Sequence, residues 1–387
     1  MTVIRKLAAA ILFGMVLNSL IISKAKAASF TFKKIVDPSS SPFGGPMSDL
    51  FSPAINDSGT VAFQAANGRG EGIFTSSGGS FTTIADTVNS SFGMIFSPSI
   101  NNSGTVAFQA GLKGGTLNGV GPGVGIYTGS GGSLTTISFD TNAGGILVSR
   151  PSINDSGTVA FVDNKSGVTY TGNGGPRTFI ANTAGGSPFI NNQGTVSFVL
   201  PGASLVTRNR EVTTTIADTR NSFSSLFGNG SPVNNNGIVA FEADLKSGGE
   251  GIFTGNGKSV TTIADTSDSF SGFSTPAIND EGTVAFEAGL KGSGGGIFTG
   301  SDPIADKVIA NGDSLFGSTV TFVDITNPQS LNNLGQIAFV AALADGTRSI
   351  YVATPVPEPS TITGSGLALA GLGLFKRRQQ KLRKKAN

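Results

Sequence analysis

The chain has 387 residues, of which 38% are hydrophobic and 13% are charged, and it contains no Cys, no His and no Trp. Without Cys and His, thiol nucleophiles, imidazole bases, Ser-His-Asp triads and the usual zinc sites are excluded. Its 28 Phe and 56 Gly indicate a chain that buries a core and turns often, rather than a disordered one.

The first 27 residues have the pattern of a secretory signal peptide. Arg5 and Lys6 form a basic start, an apolar run follows over residues 7–22, and residues 25–27 form a small-x-small cleavage site. We expect cleavage between Ala27 and Ala28, so that the mature chain begins near Ala28. The alternative is an uncleaved membrane anchor, although the apolar run is short for a membrane span.

One unit recurs seven times between residues 28 and 355. The phrase INDSGTVAF stands at residues 55–63 and returns unchanged at residues 153–161. Together with five looser copies it aligns seven glycines, which are Gly59, Gly104, Gly157, Gly194, Gly237, Gly282 and Gly335. Their spacings of 37 to 53 residues are typical of propeller blades built from short strands, rather than of helical solenoids.

The repeated phrase itself predicts a hairpin turn followed by a strand. In GTVAF, Val61 and Phe63 share one face of the strand while the smaller Ala62 lies on the other. The preceding NDSG segment predicts a turn, because Asn and Asp cap turns and Gly adopts left-handed backbone. The acidic residues of these turns, interpreted as turn residues with calcium ligation as the alternative, are Asp57, Asp155 and Asp280.

The stretch SPAINDSGTVAFQAANGRGEGIFTSSGGSFTTIADT resembles the repeats of TolB-type β-propellers, and the resemblance covers all seven units. It implies that SPAIN is the innermost strand (A), followed outward by GTVAF (B), GIFTG (C) and TTIAD (D). Residues 30–37 are then a D strand and residues 349–355 a C strand, so the first strand completes the last blade and closes the ring. The prediction for residues 28–355 is an all-β, seven-bladed propeller, with six or eight blades as alternatives.

In this arrangement the B-C and D-A loops share one face, which we call the long-loop face, and the A-B and C-D turns share the opposite, tight-turn face. Long loops on a rigid scaffold usually carry function. The basic residues of the B-C loops are Arg69, Lys113, Lys165, Lys246 and Lys291, with Arg348 near the last C strand. They predict a cationic ring for an acidic polysaccharide, with solvated loop charges as the alternative.

The D-A loops carry a second recurring feature, a set of phenylalanines. Its leading members are Phe92, Phe223 and Phe270. They are predicted either to fold back and fill the gaps between blades or to form an exposed binding platform.

Residues 356–387 combine three features that resemble a PEP-CTERM sorting signal. These are the triplet Pro357-Glu358-Pro359, an apolar segment over residues 362–375, and seven Lys or Arg among the last twelve residues. As a helix the apolar segment spans only about 21 Å, less than the ~30 Å hydrocarbon core of a membrane. The resemblance implies a transient membrane stop, cleavage by an exosortase-type protease, and release or attachment at the surface of a Gram-negative-type bacterium that makes exopolysaccharide.

Outside the two ends, 15 basic and 23 acidic residues remain, a formal charge of about −8, which disfavours nucleic acid as a partner. We expect an exported, non-enzymatic surface or matrix protein without a metal or cofactor. Its predicted partners are the export machinery, the exosortase-type protease and an exopolysaccharide or another surface component. The alternative is a propeller enzyme, either a metal-dependent lactonase or a glycan lyase, with its site in the central pocket.

Overall fold

The computed structural model describes residues 29–39, 47–114, 123–141, 150–163, 166–183, 186–227, 230–292 and 294–357. The predicted signal peptide with Ala27 and Ala28, the residues Glu358 and Pro359, and the predicted apolar sorting helix lie outside this range. No helix in the described part of the chain is long and apolar enough to cross a membrane. The chain divides into two compact units, Met1–Thr354 and Pro355–Asn387.

The described residues form β-strands arranged in seven antiparallel sheets, which are the blades of a propeller. The chain starts with β1 (Phe30–Lys34). Blade 1 consists of β2 (Asp49–Ile55), β3 (Val61–Asn67), β4 (Gly70–Ser76) and β5 (Phe81–Asp86). Blade 2 consists of β6 (Phe92–Ile100), β7 (Val106–Leu112), β8 (Val124–Gly129) and β9 (Thr135–Asp140). Blade 3 consists of β10 (Ser152–Ile153), β11 (Val159–Asp163), β12 (Val168–Gly172) and β13 (Thr178–Asn182).

The remaining blades follow the same order. Blade 4 consists of β14 (Phe189–Ile190), β15 (Val196–Leu200), β16 (Ser204–Asn209) and β17 (Val212–Asp218). Blade 5 consists of β18 (Phe223–Leu226), β19 (Val239–Leu245), β20 (Glu250–Gly255) and β21 (Val260–Asp265). Blade 6 consists of β22 (Phe270–Phe273), β23 (Ala277–Ile278), β24 (Val284–Leu290), β25 (Gly295–Phe298) and β26 (Lys307–Ala310). Blade 7 consists of β27 (Ser314–Leu315), β28 (Ser318–Asp324), β29 (Ile337–Leu343), β30 (Arg348–Pro355) and the returning β1.

Seven blades are present, as predicted, and the strand order within them is the predicted A-B-C-D. In blade 1 the sheet runs β2-β3-β4-β5. The A strands of neighbouring blades, such as β2 with β6 and β10 with β14, contact each other. They therefore surround the propeller axis, and the D strands lie at the rim.

The N-terminal strand closes the ring. β1 pairs with β30, and just beyond it the amide of Ile35 donates to the carbonyl of Ile350 at 2.8 Å. Ile35 and Val36 are then buried against blade 1 residues such as Leu50. The prediction of ring closure is confirmed, and β30 is left without an exposed sheet edge.

The core lies between blades, where a large face meets a small one. Blade 6 turns Phe286 and Phe298 toward blade 5, which offers Ala240 and Ala264 there. This is the alternation seen in the sequence as Val-Ala-Phe, with Phe on one side of the strand and Ala on the other. Complementary sizes let neighbouring sheets interdigitate at the density of a protein interior.

The aligned glycines all lie in the A-B turns, as predicted. Their φ angles fall between 72° and 82°, the left-handed region that favours glycine. The hairpin interpretation of the repeated phrase is therefore confirmed.

Candidate functional site

A closed ring of asparagines surrounds the axis on the tight-turn face. In every blade the side-chain Nδ2 of one asparagine donates to the backbone carbonyl of the equivalent asparagine in the next blade, at 2.8 to 3.2 Å. The seven members are Asn56, Asn101, Asn154, Asn191, Asn234, Asn279 and Asn332. Each Oδ1 also accepts an amide of its own turn, as Asn56 does from Thr60 at 2.9 Å. One side chain thus caps its own turn and fastens two blades together.

A second ring is formed by the residues that follow these asparagines. The backbone amide of each donates to the side-chain Oδ1 of its counterpart in the next blade, at 2.7 to 2.9 Å. The members are Asp57, Asn102, Asp155, Asn192, Asn235, Asp280 and Asn333. No two aspartates are neighbours in this order, and asparagine amides donate to their second oxygens, as Asn102 does to Asp57 at 2.9 Å.

Asp57, Asp155 and Asp280 lie in the A-B turns, as predicted. Their carboxylates also accept hydrogen bonds from neighbouring blades, so the repeated phrase encodes an inter-blade contact as well as a hairpin. The signal that could have revealed the ring is the Asn-Asp or Asn-Asn pair at the same place in all seven units. Among the described residues, no group of three or more acidic side chains could hold a metal ion.

The two rings surround an axial cavity of about 150 Å³ on the tight-turn face. Its deeper wall consists of aliphatic side chains of the A strands, such as Ile55, Ile100 and Ile153, which are 3 to 5% exposed. The polar groups at its mouth are bonded to one another. This end of the axis is therefore held rigid by hydrogen bonds between blades.

On the long-loop face the axis is filled by an irregular segment of blade 7. Asn332 follows Asp324 by eight positions, whereas in blade 1 Asn56 follows the equivalent Phe51 by five. The extra length brings Asn327 to the axis, where its Nδ2 donates to the carbonyls of Ser52 and Pro98, both at 3.0 Å. We call residues 325–329 the axial plug.

Blade 3 holds the plug from the opposite side. The Arg150 guanidinium donates to the carbonyl of Thr326. Burial lowers the pKa of Arg150 below its ordinary value, and the nearby Asp324 carboxylate offsets part of that shift. Burial and the negative charge of Asp324 raise the pKa of Glu287 to about 7, although the amide of Ile325 partly opposes the shift. The symmetry of the repeats is thus broken at this end of the axis by a set of charged groups.

Carboxylates between blades also fasten the A strands. Glu71 accepts the amide of Ile95 in blade 2 at 2.9 Å, and at the equivalent position Glu250 accepts the amide of Phe273 in blade 6 at 2.9 Å. Beside Glu250, burial raises the pKa of Glu242 to about 7, with smaller contributions from the charges of Glu250 and Asp244.

Three of the predicted basic residues make similar contacts in three blades. The Nζ of each donates to a carbonyl of the adjoining D-A loop: Lys113 to Ser90 at 2.7 Å, Lys246 to Arg220 at 2.8 Å, and Lys291 to Thr266 at 2.8 Å. All three side chains remain exposed on the long-loop face. Arg69 is exposed on the same face, while Lys165 lies outside the described residues.

The predicted aromatic platform is wrong for its three leading residues. Phe92, Phe223 and Phe270 are buried, at 1 to 6% exposure. Each ring inserts between aromatic rings of its own blade: the Phe92 centroid lies 4.9 Å from that of Tyr127, and the Phe223 centroid 5.0 Å from that of Phe253. Burying such large apolar rings is favourable, and it leaves them no face for a ligand. The alternative prediction, that they fill the gaps between blades, is confirmed, since Phe92 of blade 2 packs in one buried cluster with Ala54 and Ile73 of blade 1.

The tyrosines that a glycan lyase would need are also part of the blade packing. Tyr127 and Tyr351 are buried, at 7% and 1% exposure. Tyr351 stacks on Phe339 at 5.8 Å, and Tyr170 lies 6.2 Å from Phe161.

A model for a family of unknown function, DUF7453, matches residues 21–262 and 326–363. The chain belongs to this family. A PEP-CTERM protein-sorting motif matches residues 355–378, which include Pro357, Glu358 and Pro359. The motif is a C-terminal sorting signal for the cell envelope or surface and implies processing by exosortase machinery.

No curated protein matches the chain. Among solved structures, one from a structural and mechanistic study of two prolyl endopeptidases is similar, with a TM-score of 0.51 at 11% identity; the match covers 81% of this chain and 50% of that one. This DUF7453 protein therefore spans about half the length of that structure. At such low identity the likeness shows the propeller fold alone.

Two further structures are more distant. YCF48 bound to a D1 peptide has a TM-score of 0.45 at 12% identity, covering 87% of this chain and 100% of that one. Prolyl oligopeptidase B from Galerina marginata, bound to a 25mer macrocyclization substrate, has a TM-score of 0.45 at 12% identity. The match covers 82% of this chain and 48% of that one.

Proposed function

We propose that this DUF7453 protein is a non-enzymatic protein of the outer surface or extracellular matrix, which binds an exopolysaccharide through its long-loop face. The observation that carries the proposal is the recurrence of one exposed lysine in three blades, Lys113, Lys246 and Lys291, each held by a hydrogen bond to a carbonyl of the adjoining D-A loop. Fixing an ammonium group before binding reduces the entropy lost on binding. Repetition around a ring suits a ligand that is itself a repeating polymer.

The hydrogen bonding at both ends of the propeller axis supports binding rather than catalysis. In the enzyme alternative, the central pocket would present converging polar groups to a substrate. Here the groups at one end bond to one another in two rings, and Asn327 and Arg150 occupy the other end. Among the described residues of the long-loop face, Lys113, Lys246 and Lys291 are exposed and accessible to a partner.

The proposed route follows from the sorting motif. A signal peptide directs export, the C-terminal segment holds the chain briefly in the inner membrane of a Gram-negative-type cell, and the exosortase-type protease cleaves near Pro357. The propeller is then released or attached outside the cell, where polysaccharide is available.

The test compares two triple variants of the full chain with the same change in net charge. The loop variant carries Lys113→Ala, Lys246→Ala and Lys291→Ala; the control variant carries Lys33→Ala, Arg210→Ala and Lys258→Ala, exposed residues away from the long-loop face. Binding to an acidic polysaccharide is measured at low and high salt. We expect the loop variant alone to lose about tenfold or more in affinity at low salt. Equal affinities of the two variants would refute the proposal.

A further inference from the structure

An arginine lies between two exposed phenylalanines where blade 7 meets blade 1. Arg348 is the first residue of β30, and its Cζ lies 5.4 Å from the ring centroid of Phe322 and 5.9 Å from that of Phe51. The two rings belong to the inner strands β28 and β2, near the ends that open on the long-loop face. We call these three residues the Phe-Arg-Phe cluster.

The guanidinium of Arg348 has few hydrogen-bond partners. It carries five N–H donors, yet its hydrogen bond from Nη2 to the carbonyl of Leu50 is long, at 3.4 Å. Its Nε is buried and has no partner. None of the ion pairs among the described residues involves it. A half-buried cation with unused donors is costly unless a further acceptor completes it.

Blades 1, 2, 5 and 6 leave no unsatisfied charge at this position. The equivalent residues of blades 1 and 5 are Glu71 and Glu250, and each carboxylate accepts an amide of the next blade at 2.9 Å. In blades 2 and 6 the position is taken by the uncharged Val124 and Gly295. Arg348 is therefore a departure from the repeat that the packing of the blades does not require.

The two rings give the cluster an open apolar surface. Phe51 is 37% exposed and Phe322 is 41% exposed, whereas the phenylalanines of the blade interiors, such as Phe63 and Phe339, are fully buried. Two flat apolar faces thus flank a planar group of donors on the same side of the molecule.

We propose that the Phe-Arg-Phe cluster is a subsite for a carboxylate-bearing sugar residue of the uronic acid type. A guanidinium donates two parallel hydrogen bonds to a carboxylate. A pyranose ring has an apolar face of C–H groups, which suits the electron-rich face of a phenyl ring. An acidic side chain of a peptide supplies the carboxylate without such a flat face. The inference rests on the proposed function and gives it a specific point of contact.

The experiment measures binding of trigalacturonate to the full chain by calorimetry, beside the neutral galactose trisaccharide and triglutamate. The variants are Arg348→Gln, Arg348→Lys and Phe322→Leu. The control is Arg210→Gln, an exposed arginine in the C-D turn of blade 4. Thermal unfolding identifies any variant that fails to fold, and Phe322→Leu, at an exposed ring, keeps the test decisive if Arg348→Gln is unstable.

We expect trigalacturonate to bind the parent chain at least tenfold more tightly than the other two probes. Arg348→Gln and Arg348→Lys should each weaken it at least tenfold, because lysine keeps the charge but lacks the planar pair of donors. Phe322→Leu should weaken it severalfold, and Arg210→Gln should have no effect.

Two results would overturn the inference alone. One is a folded Arg348→Gln chain that binds trigalacturonate as the parent does; if the triple lysine variant still loses polysaccharide, the proposed function stands without this subsite. The other is equal binding of triglutamate with the same dependence on Arg348, which would assign the cluster to acidic peptides. Failure of the parent chain to bind any acidic saccharide, long or short, would reject the proposed function as well.

Discussion

The side chain of Asn332 donates to the backbone carbonyl of Asn56 at 2.9 Å, although 276 positions separate the two residues in the sequence. This bond completes the asparagine ring between the last blade and the first. Beside it, the amide of Asn333 donates to the carboxylate of Asp57 at 2.8 Å. The propeller is therefore closed in two places, by β1 at the rim and by these hydrogen bonds at the axis.

Loss of one asparagine should destabilise the whole propeller. Asn332→Ala removes the bond to Asn56 and the bonds that Oδ1 accepts from the amides of Leu334 and Gln336. Because buried partners are left unsatisfied, we expect a loss of about 2–4 kcal/mol in the free energy of unfolding, measured by denaturant titration. The control Asn173→Ala, at an exposed turn, should change it by less than about 0.5 kcal/mol. Similar values for both variants would show that the ring contributes nothing to stability.

Closure at the rim can be tested at Ile35. This residue is 3% exposed and packs against blade 1, so Ile35→Ala should cost about 2–4 kcal/mol. It should also expose the edge of β30 and promote association, which light scattering would detect. Val212, in the outer strand of blade 4, is 69% exposed; Val212→Ala is the control and should be neutral. A neutral Ile35→Ala would mean that β1 is dispensable.

The glycines of the A-B turns should resist substitution for backbone reasons alone. Gly104 has a φ of 81°, and an added Cβ would meet no atom within 4 Å. Gly104→Ala should therefore cost about 1 kcal/mol or more through backbone strain. Gly68 offers the same open space without a positive φ, so Gly68→Ala should be neutral or slightly stabilising in thermal unfolding. If both substitutions had the same effect, strain would not be the reason for the repeated glycine.

Stability should fall as the pH rises from about 4.5 to about 7. The pKa of Glu242 and that of Glu287 are raised from an ordinary value of 4.5 to about 7. Between these pH values the folded protein binds more protons than the unfolded chain. The stability that Glu242 and Glu287 contribute is therefore fully present at the acidic end of this window and is lost toward its neutral end.

Glutamine at these two positions should remove that dependence. Glu242→Gln and Glu287→Gln should each stabilise the protein by roughly 1–2 kcal/mol at pH 8, after allowance for partial solvent screening, and by little at pH 4.5. Glutamine fits the site, since Gln64 and Gln109 hold the equivalent positions in blades 1 and 2. Glu281→Gln, at an exposed turn, is the control. An unchanged pH profile in both variants would contradict the raised pKa values.

Local features of the fold could be predicted from the sequence because they depend on short stretches of chain. The alternation in Val61-Ala62-Phe63 specified a strand, and Gly59 specified a turn that needs left-handed backbone. Repetition of that unit predicted seven blades, and the D-type strand at residues 30–37 predicted ring closure. The sorting triplet at residues 357–359 was likewise readable, since such a signal is recognised as a linear segment.

Other features depend on which residues the folded ring brings together. The sequence pattern indicates that Asn56 and Asn332 are turn residues, and only closure of the propeller makes them hydrogen-bond partners. Phe92 looked exposed in a loop, but burial of its ring between Phe108 and Tyr127 is more favourable than exposure to water. In the sequence Arg348 is one basic residue among several. Its contacts with Phe51 and Phe322 form because the fold brings blades 1 and 7 together. The sequence by itself determined the blade, because a strand and its turn are encoded within a few residues. The tertiary structure decided the contacts between blades, because those join side chains that sequence spacing does not relate.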